Sequence, residues 1–455
     1  MSGAALETWA VVAAVWAVAA RPLGRYLVRV VQREPTVLDP WLSGVEHWFA
    51  GRIGGDGPED APSLLRYGAS AVAVALACGA AGRLLGPAAQ FGPAGAGLAV
   101  AALLGGTAAQ LAVVLTGLAA LGGRAPGRMA MDWVRLVLRV LVPLVLVLDV
   151  ALAAAGLAAP RALSDAARLL SGHTVAAAGL AFSGSANVLA AAGLGLLPLA
   201  VFYAAGPLTG RPAVGRALPL VVVIWFGVVG AAVEWTSGSA LAGVPAAWGR
   251  AGAALHAVAG AALGSGPGPV LTGVWPATLA VAGQLAEIVG GPAGAGLLPL
   301  MGLAVLTAVV VNLMQGRSPV FLGRRVGRKT ILAGAMLYGI RPVLVLGTLG
   351  VLAAGGPSPA SLATRLAGVA AAVGSPHGPG TGALGGVSLL AAYLPWIVWL
   401  AWAQTGLRPE PPLRFGEGLV GDRAWLAALL AATVAMTALL FLPVLALAPV
   451  VGSAP

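Results

Sequence analysis

Charged side chains are scarce in this sequence. Asp, Glu, Lys and Arg together make up 9% of the 455 residues, whereas 59% of the residues are hydrophobic. A soluble domain needs a polar shell, and about a quarter of its residues are charged. The composition therefore excludes an ordinary soluble protein. It also excludes a disordered chain, in spite of 67 Gly and 33 Pro, because disorder requires low hydrophobicity.

Cysteine and lysine are nearly absent. The single cysteine, Cys78, lies inside an apolar run, which excludes an internal disulfide and a cysteine metal site; we interpret it as a small core residue. The single lysine, Lys329, lies in a basic loop, whereas proton-pumping subunits use ionisable relays at mid-membrane depth. The zinc-protease motif HExxH and the phosphate-binding motif GxxxxGK[ST] are absent as well. A proton pump, a membrane protease and ATP hydrolysis by this chain are therefore disfavoured, and we expect no catalytic residue and no metal site.

Apolar runs of about 20 residues recur along the chain, each long enough to cross the hydrocarbon core of a membrane. They predict an all-α integral membrane protein with about ten transmembrane helices. The predicted spans are 5–21, 66–84, 98–121, 133–157, 188–205, 216–235, 296–315, 331–353, 385–403 and 424–448.

Basic residues mark every second loop of this arrangement. The basic loops are 22–65, 122–132, 206–215, 316–330 and 404–423. Because basic loops stay in the cytoplasm, we expect the N-terminus outside and the run 5–21 to be an uncleaved helix, not a signal peptide. The net charge of +11 is then a topology signal, and we expect contact with membrane lipid but no nucleic-acid partner.

The connections on the outside are semi-apolar. They are 86–97, 161–187, 247–294 and 358–385, and several contain a short helical segment followed by a glycine-rich break. Such irregular backbone survives at membrane depth only where it lines a cavity or is buried in protein, which is typical of a re-entrant pore loop. We therefore predict one membrane domain, 1–455, with four helix–pore-loop–helix repeats around a pseudo-fourfold axis. The leading helix is 5–21, the repeats are 66–121, 133–205, 216–315 and 331–403, and the trailing helix is 424–448.

Several sequence strings are more specific than the hydropathy pattern. They are ARPLG (20–24), GVE (44–46), DWVRLVLRVLVPL (132–144), AGQLAEIVGGPAGAGL (282–297), GRSPVFLGRRV (316–326) and LLFLPVLALAPV (439–450). On these strings the chain resembles the potassium-binding A subunit of the Kdp-type potassium-transporting P-type ATPase, in the superfamily of potassium transporters.

The resemblance implies that potassium, the transported ion, enters from outside through a filter of backbone carbonyls supplied by four loops. Glycine is required there because the carbonyls point inward in conformations that other residues resist. The implied filter candidates are Gly92, Gly95, Ser183, Gly184, Ser185, Ser265, Gly266, His377, Gly378 and Gly380, and the candidates for the ion pathway or its vestibule are Asn187, Glu287, Asp149 and Glu234. The implied partners are a P-type ATPase catalytic subunit and small membrane subunits, in the cell inner (plasma) membrane.

A second interpretation remains open. The asparagine- and threonine-rich surroundings of the family's filters are mostly absent here, as is the arginine expected in the helix 391–406. In this second interpretation the chain is a degenerate, non-selective or non-conducting structural subunit that keeps the fold and the partner contacts. For the serine–glycine segments the competing interpretation is a flexible turn, and for Glu287 it is a packing hydrogen bond.

Overall fold

The structure, a computed structural model, describes residues 3–53, 63–84, 103–156, 159–170, 184–236, 294–354, 383–407, 427–433 and 435. Nearly all of these residues are helical. The first helices are α1 (Gly3–Gln32), α2 (Asp39–Ile53), α3 (Leu64–Leu84), α4 (Ala108–Leu121), α5 (Met129–Leu136) and α6 (Val142–Ala154). The later ones are α7 (Ala159–Leu170), α8 (Gly184–Thr209), α9 (Pro212–Thr236), α10 (Leu297–Met314), α11 (Arg328–Ala354) and α12 (Ala383–Ala403).

Two π-helical turns and one 3₁₀ turn extend these helices. The π-turn Leu103–Thr107 leads into α4, the π-turn Val137–Leu141 joins α5 to α6, and the 3₁₀ turn Gln404–Leu407 follows α12. Residues 427–433 are also helical. Most of these helices overlap the predicted apolar runs, as expected because a helix satisfies its own backbone groups in lipid, whereas α2 and α7 lie in segments that were predicted as connections.

Within the part of the chain that the structure describes, four helical stretches are long and apolar enough to cross a membrane: Ala10–Gln32, Met129–Ala154, Leu189–Thr209 and Leu297–Met314. Shorter apolar helices occupy Leu64–Cys78, Gly105–Leu121, Pro212–Ile224 and Ala392–Ala403. These segments confirm the prediction of an all-α membrane protein.

The core of the described bundle is built around α8 and α4. Helix α8 packs against α1, α4 and α9, and every residue of α4 is buried. Small residues allow the close approach: the ring of Trp16 on α1 fills the space beside Gly195 on α8. The indole N–H of Trp16 donates a hydrogen bond of 2.9 Å to the carbonyl oxygen of Ala192. Small residues at helix crossings are the usual packing device inside membranes.

A β-hairpin lies within the basic segment 316–326. Its strands, β1 (Val320–Phe321) and β2 (Arg324–Arg325), are antiparallel. The two turn residues have positive φ, 51° at Leu322 and 76° at Gly323, as a type I′ turn requires.

The hairpin is fastened to two other parts of the bundle. The ring of Phe321 packs on Trp402 with 6.2 Å between centroids, and Arg324 Nη1 donates 3.3 Å to the carbonyl oxygen of Thr405. The guanidinium of Arg211, which follows α8, lies against Gly323 so closely that a Cβ there would overlap it. The predicted basic loop is therefore partly a folded element.

The first predicted span ended too early. Helix α1 continues to Gln32, and α2 occupies much of the segment 22–65 that was predicted as a loop. The side chains of Arg21, Arg25 and Arg29 are exposed and spaced by four residues, so they lie on one face of α1. They mark the end of the apolar run but do not end the helix, because long basic side chains reach water from a continuing helix.

Candidate functional site

The second predicted repeat contains a short helix between long ones. Helix α7 has 12 residues and is about 18 Å long at 1.5 Å per residue, too short to cross a membrane. It packs against α6, α8 and the π-turn Leu103–Thr107. Helix α7 therefore overlaps the connection 161–187, one of the four semi-apolar connections, several of which were predicted to contain a short helix before a glycine-rich break.

Helix α7 is amphipathic and turns its apolar face inward. Ala162, Ala166 and Leu169 are at most 1% exposed. Asp165 shares this buried environment, with 3% of its surface exposed. An ionisable side chain in apolar surroundings is expensive and usually faces a cavity or a polar partner. The carboxylate of Asp165 is therefore a polar feature of this repeat that the sequence patterns did not single out.

Asp149, a vestibule candidate, lies on α6 and is partly exposed. Its Oδ1 atom is buried, and among the described residues it accepts no hydrogen bond. Asn187 lies in the first turns of α8, and Glu234 lies near the end of α9.

Gly184 and Ser185 are the first residues of α8. Carbonyls within an α-helix accept hydrogen bonds from amides four residues later, so those of Gly184 and Ser185 belong to the helix. The remaining candidates lie outside the described residues: Gly92, Gly95, Ser183, Ser265, Gly266, Glu287, His377, Gly378 and Gly380.

The π-turn Leu103–Thr107 is closely packed against α3. A Cβ on Gly105 would overlap the side chain of Cys78, which is partly buried. This contact agrees with the interpretation of Cys78 as a packing residue.

Six charged side chains form what we call the arginine–carboxylate cluster. Its members are Arg33, Asp39, Glu46, Asp132, Arg135 and Arg139. They come from the end of α1, from α2, from α5 and from the π-turn Val137–Leu141. The cluster therefore joins the predicted first loop to the start of the second repeat.

Arg139 is the centre of the cluster. Its Nη2 donates 2.8 Å to Glu46 Oε2, and its Nε donates to Glu46 Oε1. Its Nη1 donates 2.9 Å to the hydroxyl of Thr36 and also pairs with Asp39 Oδ1. The side chains of Arg139 and Glu46 are each 10% exposed. Such a two-bond arginine–carboxylate contact is both strong and geometrically specific.

Asp132 is the second centre of the cluster. The hydroxyl of Tyr67 on α3 donates 3.2 Å to Asp132 Oδ2, and the hydroxyl of Thr116 on α4 donates 2.9 Å to Tyr67. Arg33 and Arg135 each approach Asp132 Oδ1 at 3.9 Å. Hydrogen bonds thus extend the cluster into the buried helix α4.

One member of the cluster, Asp39, takes part in capping the N-terminus of helix α2. The backbone N–H of Thr36 donates 2.8 Å to Asp39 Oδ2, and the Thr36 hydroxyl donates 2.8 Å to Asp39 Oδ1. A carboxylate that reaches back to the N–H three residues earlier is one half of a capping box. The two bonds from Thr36, with Arg139 nearby, lower the pKa of Asp39 below its ordinary value.

The cluster is suited to fastening helices together. Its three arginines and three carboxylates balance in charge, and no group of side chains suitable for a metal ion occurs within the described residues. Glu46 belongs to the string GVE and Arg139 to the string DWVRLVLRVLVPL, and no sequence pattern predicted that the two residues meet. The signal available in the sequence was the scarcity of acidic residues such as Glu46, of which the chain has only 15 Asp and Glu together.

Comparison with known proteins gives matches along part of the chain. Residues 181–365 match the family model of the potassium-transporting ATPase A subunit. The potassium-transporting ATPase potassium-binding subunit of Streptomyces griseus is 29% identical over 290 residues, which is 56% of this chain and 52% of that protein. The protein of the same name from Anaeromyxobacter dehalogenans is 33% identical over 201 residues, 40% of this chain and 34% of that protein.

The chain spans about half the length of the curated relatives it matches most extensively. The family match covers α8 to α11 and the hairpin, whereas the arginine–carboxylate cluster lies before it. The resemblance stated from the sequence strings is thereby confirmed: this all-α membrane protein is similar to the potassium-binding A subunit of the potassium-transporting ATPase.

Proposed function

We propose that this chain is the potassium-binding and translocating subunit of an ATP-driven potassium uptake complex. Potassium enters from outside through a filter formed by four loops, and the N-terminus lies on the outer side of the cell inner membrane. ATP is hydrolysed by a P-type ATPase catalytic subunit, with small membrane subunits completing the complex.

The observation that carries this proposal is the match of residues 181–365 to the family of the A subunit. The second repeat supports it, because α7 is a short helix packed between α6 and α8. A short helix before a glycine-containing segment is what a carbonyl filter needs, since the filter backbone requires a protein wall around it.

Charge supports a cation pathway in this repeat. Asp149 and Asp165 lie on neighbouring helices, α6 and α7, with a buried carboxylate oxygen on each. Negative charge near a pore mouth raises the local concentration of cations. We assign both residues to the outer vestibule, with the filter itself closer to the start of α8.

Potassium uptake in a potassium-starved, uptake-deficient host tests the proposal. The chain is expressed with its P-type ATPase partner, and growth and rubidium uptake are measured at limiting potassium. We expect growth only when both proteins are present; the partner alone is the control. An assembled complex without potassium or rubidium uptake would overturn the proposal and favour the degenerate structural subunit.

A further inference from the structure

The inner face of helix α2 is held to the rest of the protein by an ion pair, whereas nothing in the described structure covers its outer face. Glu46 on the inner face is 7% exposed and is held by Arg139. On the outer face Trp41 is 82%, Trp48 55% and Val45 41% exposed. Two large indoles are thus displayed on a helix whose other side is anchored in the protein.

The exposed surface of α2 is divided into two stripes. Trp41, Val45, Trp48 and Arg52 follow one another at steps of three and four residues, so they line one stripe; we call it the tryptophan stripe. The neighbouring stripe consists of Pro40, Gly44, His47 and Gly51, all exposed and turned by about 100° from the first. It carries no large apolar side chain. The exposed large apolar side chains described on α2 are thus confined to the tryptophan stripe.

The ion pair between Glu46 and Arg139 places α2 beside a long apolar stretch of the chain. Arg139 is followed by 140–148, which contain no charged residue, within the membrane-length stretch Met129–Ala154. Arginine at the end of such an apolar run marks the boundary of the hydrocarbon region. Because Glu46 pairs with Arg139, α2 lies beside the start of this uncharged run.

The chemistry of the tryptophan stripe fits the headgroup region. Tryptophan is enriched there because its ring is apolar and its N–H is polar. The guanidinium of Arg52 lies over the ring of Trp48, 3.8 Å from the centroid, a cation–π contact. Exposed arginines also line α1, at positions 21, 25 and 29, and basic residues beside a membrane attract anionic lipid.

We propose that α2 lies on the membrane surface, with Trp41, Val45 and Trp48 inserted among the phospholipid headgroups and the first acyl carbons. Arg52 then contacts lipid phosphates. Through Glu46 this contact fixes the position of Arg139 and the start of the second repeat. The occupant of the tryptophan stripe is the phospholipid bilayer, and this role does not depend on which ion the protein carries.

Spin labels on the full-length chain test the proposal. Val45→Cys places a label on the tryptophan stripe, and His47→Cys places one on the neighbouring stripe as the matched control, both in a Cys78→Ser background. Each protein is reconstituted in vesicles of phosphatidylcholine and phosphatidylglycerol. Power saturation then measures collisions of the label with dissolved oxygen and with a water-soluble nickel chelate.

We expect the ratio of oxygen to nickel collisions to be several-fold higher at position 45 than at position 47. Equal, high nickel accessibility at both positions would mean that the stripe faces water, and it would overturn the proposal. A label at position 45 that is shielded from both reagents would overturn it as well, because a protein and not lipid would then cover the stripe. Both substituted side chains are exposed, so neither is expected to disturb folding.

Discussion

Arg139 donates hydrogen bonds to both carboxylate oxygens of Glu46, a residue 93 positions earlier in the chain. The contact joins α2 to the π-turn between α5 and α6. Both side chains are largely buried. A buried pair of this kind adds little net stability compared with apolar residues, but removal of one partner leaves an uncompensated charge.

Glu46→Ala is therefore expected to lower the free energy of unfolding by about 3 kcal/mol, the scale for breaking a buried pair. The double variant Glu46→Leu/Arg139→Met is expected to recover part of that loss. Denaturant unfolding in detergent micelles measures both. Arg328→Ala, at an exposed position, is the control and should change stability by less than about 0.5 kcal/mol. A single variant as stable as the parent protein would contradict the assignment of this pair.

Asp39 makes the stability of the folded protein depend on pH. Its pKa is lowered in the folded state, chiefly by the hydrogen bond from the Thr36 backbone N–H. The ionised carboxylate therefore stabilises the fold above the unfolded pKa of about 3.9, and this contribution is lost as the pH falls through the folded pKa.

The comparison of Asp39→Asn with the parent protein measures this effect. We expect the variant to have a lower Tm at neutral pH, and the difference to shrink as the pH falls below about 4. Glu34→Gln, at an exposed neighbouring position, is the control. A difference in Tm that stays constant between neutral and acidic pH would show that Asp39 acts without its charge.

The hairpin turn depends on Gly323. Its φ of 76° lies in the left-handed region, which costs other residues about 1–2 kcal/mol, and a Cβ there meets the guanidinium of Arg211. Gly323→Ala is therefore expected to loosen the hairpin and speed trypsin cleavage after Arg324 and Arg325 in detergent. Gly327→Ala is the control, since a Cβ at Gly327 meets nothing within 4 Å. Equal cleavage rates in the two variants would contradict a required glycine turn.

The proposed filter has a direct test at Gly266. Gly266→Val is expected to abolish potassium-stimulated ATP hydrolysis by the assembled complex, because a branched side chain resists the backbone conformations of a carbonyl filter. Gly339→Val on α11, where a Cβ meets nothing within 4 Å, is the control. Assembly is checked by copurification with the ATPase subunit. Full activity of the Gly266 variant would remove this glycine from the filter.

Hydropathy alone predicts the class of this protein. Apolar runs of membrane length specify helices, because in lipid the backbone has no hydrogen-bonding partner other than itself. The described helices other than α2 and α7 overlap these runs. The string GRSPVFLGRRV, with the family match of 181–365, identified the relatives. The filter glycines outside the described residues, such as Gly92 and Gly266, stay predictions from the sequence.

Which polar groups meet depends on the folded arrangement of the helices. Glu46 and Arg139 are far apart in the chain, and no local pattern of hydrophobicity encodes a contact between them. The extension of α1 beyond its arginines and the existence of α2 were missed for a related reason. Charge marks where a chain leaves lipid, but whether it stays helical depends on contacts that only the folded bundle supplies, here the bonds from Thr36 and Arg139 to Asp39.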